Sequence, residues 1–363
     1  MTQLPRWADL VLVPLISLLL AGVISALVIL AIGQSPGEAL RTMVQGAVGS
    51  AYGWGYTLYY ATSFMFTGLA VTVAFHASLF NIGGEGQAQI GGLGVALVCL
   101  AAPWPHWTLA LPAAMAGAAL FGAAWAAIPA YLQARRGSHI VITTIMFNYI
   151  GAALIIYMLV NVLRPRGQMD PATARFPAGT RLPTLHEIPG LNLIFTQQIP
   201  ANVTLFVALA ACWLVWLLLW RTRLGYEIRA FGRSERAAVY AGISPFRVTM
   251  IAMLISGALA GLMSINNVMG EAGRLLQNSS EGAGFIGIAV ALMGRNHPVG
   301  VFLAAILFGF LFQGGAELGL WTTIPIELRT VVQGLVILFT GALDHMVRML
   351  LGLVFRPRRA QVA

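Results

Sequence analysis

Long apolar runs, separated by short clusters rich in arginine, proline and glycine, set the rhythm of the chain. A helix that crosses a bilayer needs roughly 20 such residues. By that ruler candidate spans fall near 9–32, 58–80, 87–102, 107–133, 139–162, 200–220, 247–267, 282–294, 299–316 and 328–350. The eighth is short, which predicts a re-entrant segment or half of a broken helix. The first follows Arg6 and is too long for a signal-peptide core, which predicts an uncleaved anchor. The expectation is an all-α polytopic membrane protein of about ten helices. An eight-span variant with one re-entrant pair of short spans is the alternative.

Within this pattern one motif occurs twice. Glu85-Gly86-Gln87-Ala88-Gln89-Ile90-Gly91 is followed by Val95-Ala96-Leu97, and Glu281-Gly282-Ala283-Gly284-Phe285-Ile286-Gly287 by Val290-Ala291-Leu292. Each copy opens an apolar helix with a carboxylate and glycines, in a chain with only 12 acidic residues. Each occupies the third position of a five-span half. The copies are expected to face opposite sides of a membrane, Glu85 starting a helix that runs outward and Glu281 one that runs inward. Inverted repeats with polar helix starts characterise proteins that pass a solute through a bilayer. The partition is one permease domain over 1–363, with half-repeats of about 1–162 and 200–350, an external loop at 163–199 and a cytoplasmic loop at 221–246.

Composition agrees: 58% of residues are hydrophobic and 9% charged, too apolar for a soluble protein of 363 residues. All 21 basic residues are arginine. Without lysine no GxxxxGK[ST] phosphate loop and no Schiff base exists, so any ATP hydrolysis belongs to another polypeptide. With a cytoplasmic amino terminus, 14 arginines lie on inside segments and 7 outside, four of the latter in the 163–199 loop. This is the positive-inside bias, and both termini are expected in the cytoplasm. The basic balance therefore reflects topology, with no nucleic-acid partner. Cys99 and Cys212 lie in apolar stretches as structural residues, and no spacing of ligands supports a metal or cofactor.

Two kinds of polar feature stand out. In the 221–246 loop Ser234 is placed as an N-cap, Glu235 favours the positive helix start and Gly242 is a stop. This predicts a short helix projecting into the cytoplasm to dock on a partner; the plainer reading is a basic loop lying on anionic lipid. Outside, 33–57 carries an aromatic run, Tyr52, Trp54 and Tyr56, continued by Tyr59 and Tyr60, as an interfacial belt. The proline-rich 163–199 segment would cover the translocation path. Inside the spans, Asn81, Glu85, Gln87, Gln89, Asn148, Asn266, Asn267 and Glu281 are candidates for the solute pathway, because intramembrane polar groups are costly. Hydrogen bonding between helices, or helix capping by Asn81 and Glu281, explains each equally well. His76 and His139 read as structural.

Three stretches carry a resemblance. Phe80-Asn81-Ile82-Gly83-Gly84-Glu85-Gly86-Gln87 resembles the FNIG-x-EGQ signature of bacterial ABC-transporter permeases of the simple-sugar and nucleoside branch. Leu224-Gly225-Tyr226 through Ala237-Ala238-Val239-Tyr240-Ala241-Gly242-Ile243 is similar to that family's coupling segment. Gly284 to Leu292, continuing through Met293-Gly294-Arg295-Asn296-His297-Pro298, is similar to its GF-x-GIAVALLG-x-x-HP run. The resemblance implies a permease subunit of a binding-protein-dependent importer. It would work with an ATP-binding subunit carrying two nucleotide domains, a second related permease or a second copy, and an external solute-binding protein. It places Arg233, Ser234, Glu235, Arg236, Ala237, Ala238, Tyr240 and Gly242 at the ATPase, and Asn81, Glu85 and Gln87 by the pathway. Ser138-His139-Ile140-Val141-Ile142 lacks the Asn-Glu pair of many relatives, and Ser279-Ser280-Glu281-Gly282-Ala283 departs from the commoner Ser-Pro-Gly-Tyr form. An ion-coupled secondary transporter is the alternative, and an intramembrane enzyme lacks a recognisable nucleophile–base pair.

Overall fold

The computed structural model describes residues 12–321, 330–332, 334–335 and 338–339. The expected tenth span at 328–350 falls largely outside them, as do Arg6, Arg329, Arg348, Arg356, Arg358 and Arg359. Twelve helices run in order through the described residues: α1 (Val13–Ala31), α2 (Pro36–Val48), α3 (Ala51–His76), α4 (Gly84–Ala101), α5 (Trp107–Arg136), α6 (Ile140–Tyr157), α7 (Thr204–Arg221), α8 (Arg223–Arg233), α9 (Glu235–Tyr240), α10 (Pro245–Ser264), α11 (Ala283–Met293) and α12 (Pro298–Trp321). Helix α6 continues as a π-helix over Met158–Val162, and α10 over Ile265–Ala272. The only extended pairings among the described residues are two isolated bridges, Ala172 with Leu276 and Thr184 with Asn202.

Among the described residues six helices are long and apolar enough to cross a membrane, or seven if the bent pair α1–α2 counts as one span. The expected spans at 87–102 and 282–294 fall short for different reasons. Helix α4 starts with Glu85, Gln87 and Gln89, while α11 has only 11 residues. The aromatic run from Tyr52 to Tyr60 is not in a loop. Ser50 accepts from Gly53 N–H at 3.0 Å and starts α3 there, so these rings form its first turns.

Contacts gather into two compact units. In the larger, Val48–Phe310, α3 and α10 lie at the centre, with α4 and α5 against α10 and α11 against α3. Apolar burial cannot drive helices together inside lipid, so close backbone approach does that work. At the α4–α10 crossing a Cβ on Gly91 would lie 2.4 Å from Gly261 Cα, and at the α5–α10 crossing a Cβ on Gly122 would lie 2.3 Å from Gly257 O. Helices α6 and α7 bury only 28% of their most apolar window, and they turn Ile142, Tyr149, Trp213 and Leu214 outward. In the smaller unit α1 turns through 119° into α2, and α2 packs on the end of α12, where Gly314 meets Met43 and Gly46 meets Glu317.

Candidate functional site

The two copies of the repeated motif meet. A carboxylate placed before a short helix should find the helix's unpaired N–H groups, since the first turn has no internal partners for them. Here the carboxylate and the helix come from different copies. Glu85, only 5% exposed, accepts from Gly282 N–H at 3.1 Å, from Gly284 N–H at 2.9 Å and from the Ser280 hydroxyl at 2.5 Å. It thus occupies the positive end of α11. A Cβ on Gly284 would lie 2.2 Å from Glu85 N, so only glycine lets the two helix starts abut. This contact brings the starts of α4 and α11 together. Glu281 is exposed, with a left-handed φ of +49°, followed by Gly282 at +78°.

Around this junction the predicted polar residues act as ties. Asn81 and Gln87 form a reciprocal amide pair at 2.9 and 3.2 Å, and Asn81 also donates to Ser256 Oγ at 2.9 Å and accepts from Gly83 N–H. Asn148 reaches across from α6, accepting from Gly86 N–H at 2.8 Å and donating to Ile82 O at 2.9 Å. Together these satisfy the irregular backbone at the start of α4. On α10, Asn266 donates to Tyr59 O and Ser63 Oγ, both at 2.9 Å, and accepts from Asn202. Asn267 accepts from Ser63 and donates to Ser279 O at 2.8 Å. Gln89 is buried, and its Oε1 has no hydrogen-bond partner among the described residues. Asn81, Glu85, Gln87 and Asn148 therefore come together, Asn266 and Asn267 fasten α10 to α3, and Glu281 lies exposed just before α11. What they build is a closed, satisfied junction.

Each irregular segment leading into the junction is stitched to an element outside it. Residues 77–83 precede α4, and there Ser78 Oγ donates to Gly232 O of α8 at 2.6 Å. Residues 273–282 precede α11, and there Thr173 N–H donates to Leu275 O at 3.1 Å and Phe176 N–H to Gly273 O at 2.8 Å. The short helix expected between Ser234 and Gly242 forms as α9, with Ser234 accepting from Ala237 N–H at 3.3 Å and Gly242 at φ +81°. Arg233, Ser234, Glu235, Arg236, Ala237, Tyr240 and Gly242 are exposed, Tyr240 by 94%. Ala238 is buried and turned into the protein, so it supports the helix from below and cannot touch a partner directly.

Two cavities lie beyond the junction. One of about 850 Å³ is bounded by the 175–184 and 198–200 segments and the end of the π-helix at Glu271. A second, of about 300 Å³, lies between Ser78, Gln133, Phe246 and the start of α9. Sequence reasoning missed Glu271, whose carboxylate accepts from the Tyr59 hydroxyl at 2.8 Å; its place five residues after Asn266 on a polar helix end was the available signal. No group of three metal-ligating side chains occurs among the described residues.

Comparison with known proteins fits this architecture. Residues 54–341 match the family described as branched-chain amino acid transport system / permease component. The chain is 36% identical to the guanosine ABC transporter permease protein of Bacillus subtilis, over 94% of this chain and 95% of that one. It is 34% identical to the nucleoside ABC transporter permease protein of Lactococcus lactis, over 91% and 90%. With the glucose ABC transporter permease protein of Haloferax volcanii the identity is 32%, over 95% and 90%. No solved structure matches. A multi-pass helical chain, matched over most of its length, thus belongs to the branched-chain amino acid transport system / permease component family and is a transport subunit, an ABC importer permease, and not an enzyme.

Proposed function

We propose that this chain passes a nucleoside from an external solute-binding protein to the cytoplasm, with ATP hydrolysed on a separate subunit that carries two nucleotide domains. The near-full-length likeness to permeases named for guanosine and for nucleosides carries the substrate class. In this reading the complete chain has ten spans in an inverted five-plus-five repeat, with both termini cytoplasmic. The order of elements supports it. The run from α1 gives an apolar helix, one shorter helix (α2), a long buried helix, an irregular segment, then α4 and α5; the run from α7 gives an apolar helix, two shorter helices (α8 and α9), a long buried helix, an irregular segment, then α11 and α12. The packing supports it too, since α4 lies on α10 as α11 lies on α3.

Helix α9 then seats in the ATPase, and the 163–199 loop receives the binding protein. Lipid covers the outer faces of α6 and α7. A second permease, related or identical, completes the conduit. The junction at Asn81, Glu85, Gln87 and Asn148 is its closed gate, with Gln89, Asn266, Asn267 and Glu281 along the route. The test is uptake of radiolabelled guanosine into proteoliposomes that hold the assembled complex and its binding protein. ATP-dependent accumulation is expected. Accumulation driven by an ion gradient without ATP would refute the reading.

A further inference from the structure

The external cavity is larger and more varied than a loop boundary requires. Its volume, about 850 Å³, lies within the range of small-molecule sites, roughly 300–1,000 Å³. Its wall brings together an aromatic ring, Tyr56, the Glu271 carboxylate, the Gln198 amide and the guanidinium of Arg175. A second guanidinium, Arg181, is already ion-paired with Glu187. One carboxylate against one guanidinium suits a neutral solute better than an anion.

Glu271 is held in a particular pose. The Tyr59 hydroxyl engages its Oε2 at 2.8 Å, and the Tyr59 carbonyl is itself fixed by Asn266 Nδ2 at 2.9 Å. The residue also sits near the end of an eight-residue π-helix, an irregularity common at functional sites because it re-aims side chains. A carboxylate pinned through one oxygen presents a fixed edge to two adjacent donors. From this we infer that the cavity is a solute subsite in which Glu271 selects for paired hydrogen-bond donors and Tyr56 stacks on a heterocycle. In a nucleoside such pairs occur at the vicinal hydroxyls of ribose and at the N1–H and 2-amino edge of guanine. This assignment rests on the nucleoside reading above.

The experiment compares Glu271→Gln with the parent complex in ATP-driven uptake of guanosine, inosine and 2′-deoxyguanosine. Taking the ratio of variant to parent for each solute cancels the selectivity of the binding protein. Guanosine uptake should fall roughly tenfold to a hundredfold, as when one charge-assisted hydrogen bond is lost. A loss that spares inosine identifies the base edge as the donor pair; a loss that spares 2′-deoxyguanosine identifies the diol. Either pattern supports the subsite. Equal losses for all three solutes, or no loss, overturn it while leaving the nucleoside reading standing. Failure of the parent complex to take up any of them overturns both. Should Glu271→Gln not assemble, Glu271→Asp is read by the same three ratios, and unchanged ratios overturn the subsite.

Discussion

Replacing Glu85 by alanine tests whether the closed junction depends on one carboxylate. The side chain accepts three hydrogen bonds, from the Ser280 hydroxyl and from the Gly282 and Gly284 amides. The hydroxyl can rotate to another acceptor, but the two amides cannot. A fully buried donor left without a partner costs about 1–3 kcal/mol; with the Gly284 amide buried and the Gly282 amide part-buried, about 2–6 kcal/mol is the upper range for the pair. Water admitted by the smaller side chain recovers part of this, so about 2–4 kcal/mol is the working figure. At about 1.4 kcal/mol per decade, the open fraction of the junction rises roughly 30- to 700-fold. Hydrogen exchange on the complex in nanodiscs reads this directly, because amides exchange through local opening. Peptides covering 281–287 should exchange faster by that factor, while peptides from the middle of α3 keep the parent rate. Glu85→Gln, which retains one acceptor oxygen, should fall between. Unchanged exchange at 281–287, or equal acceleration everywhere, refutes the assignment of Glu85 as the tie.

Other perturbations separate packing from docking. Gly261→Leu should cost several kcal/mol, as overpacking does, because even a Cβ there would lie 2.3 Å from Ala118 O; loss of monodisperse protein on size-exclusion chromatography checks it. On α9, Tyr240→Ala removes a 94%-exposed ring and should abolish solute-stimulated ATP hydrolysis in proteoliposomes without lowering the melting temperature. Ala238→Asp should instead lower the melting temperature by several degrees, since it buries a charge under the same helix. Equal behaviour of the two α9 variants would show that the exposed face has no separate role.

Legibility followed locality. Helix identity, the Ser234 cap and the Gly242 stop depend on neighbours within a turn or two, and the sequence pattern carried them. The repeated Glu-Gly motif was also visible, but its meaning was not. Nothing local says that Glu85 would serve a helix 199 residues away while Glu281 adopted a left-handed φ. The start of α3 was expected at 58 and not at Ala51 because tyrosine and tryptophan suit both a bilayer interface and a helix start, and the Ser50 cap was overlooked. Asn81, Asn148 and Asn266 were recognised as important by cost alone. Only their partners reveal that they fasten backbone. Glu271 was missed because its position depends on a π-helical register that periodicity cannot anticipate.

The shortness of α11 bears on how the protein is made. Eleven residues rise about 16 Å, roughly half the hydrocarbon thickness. The other half is irregular backbone over 273–282, which carries Arg274, Gln277, Asn278 and Glu281 and borrows its partners from Thr173, Asn267 and Glu85. Released alone into lipid, such a segment would expose unpaired peptide groups, so the insertion machinery has no reason to hand it over as an independent span. Its backbone groups find their partners only where Thr173, Asn267 and Glu85 are already in place, so its stable burial is tied to the segments that carry them.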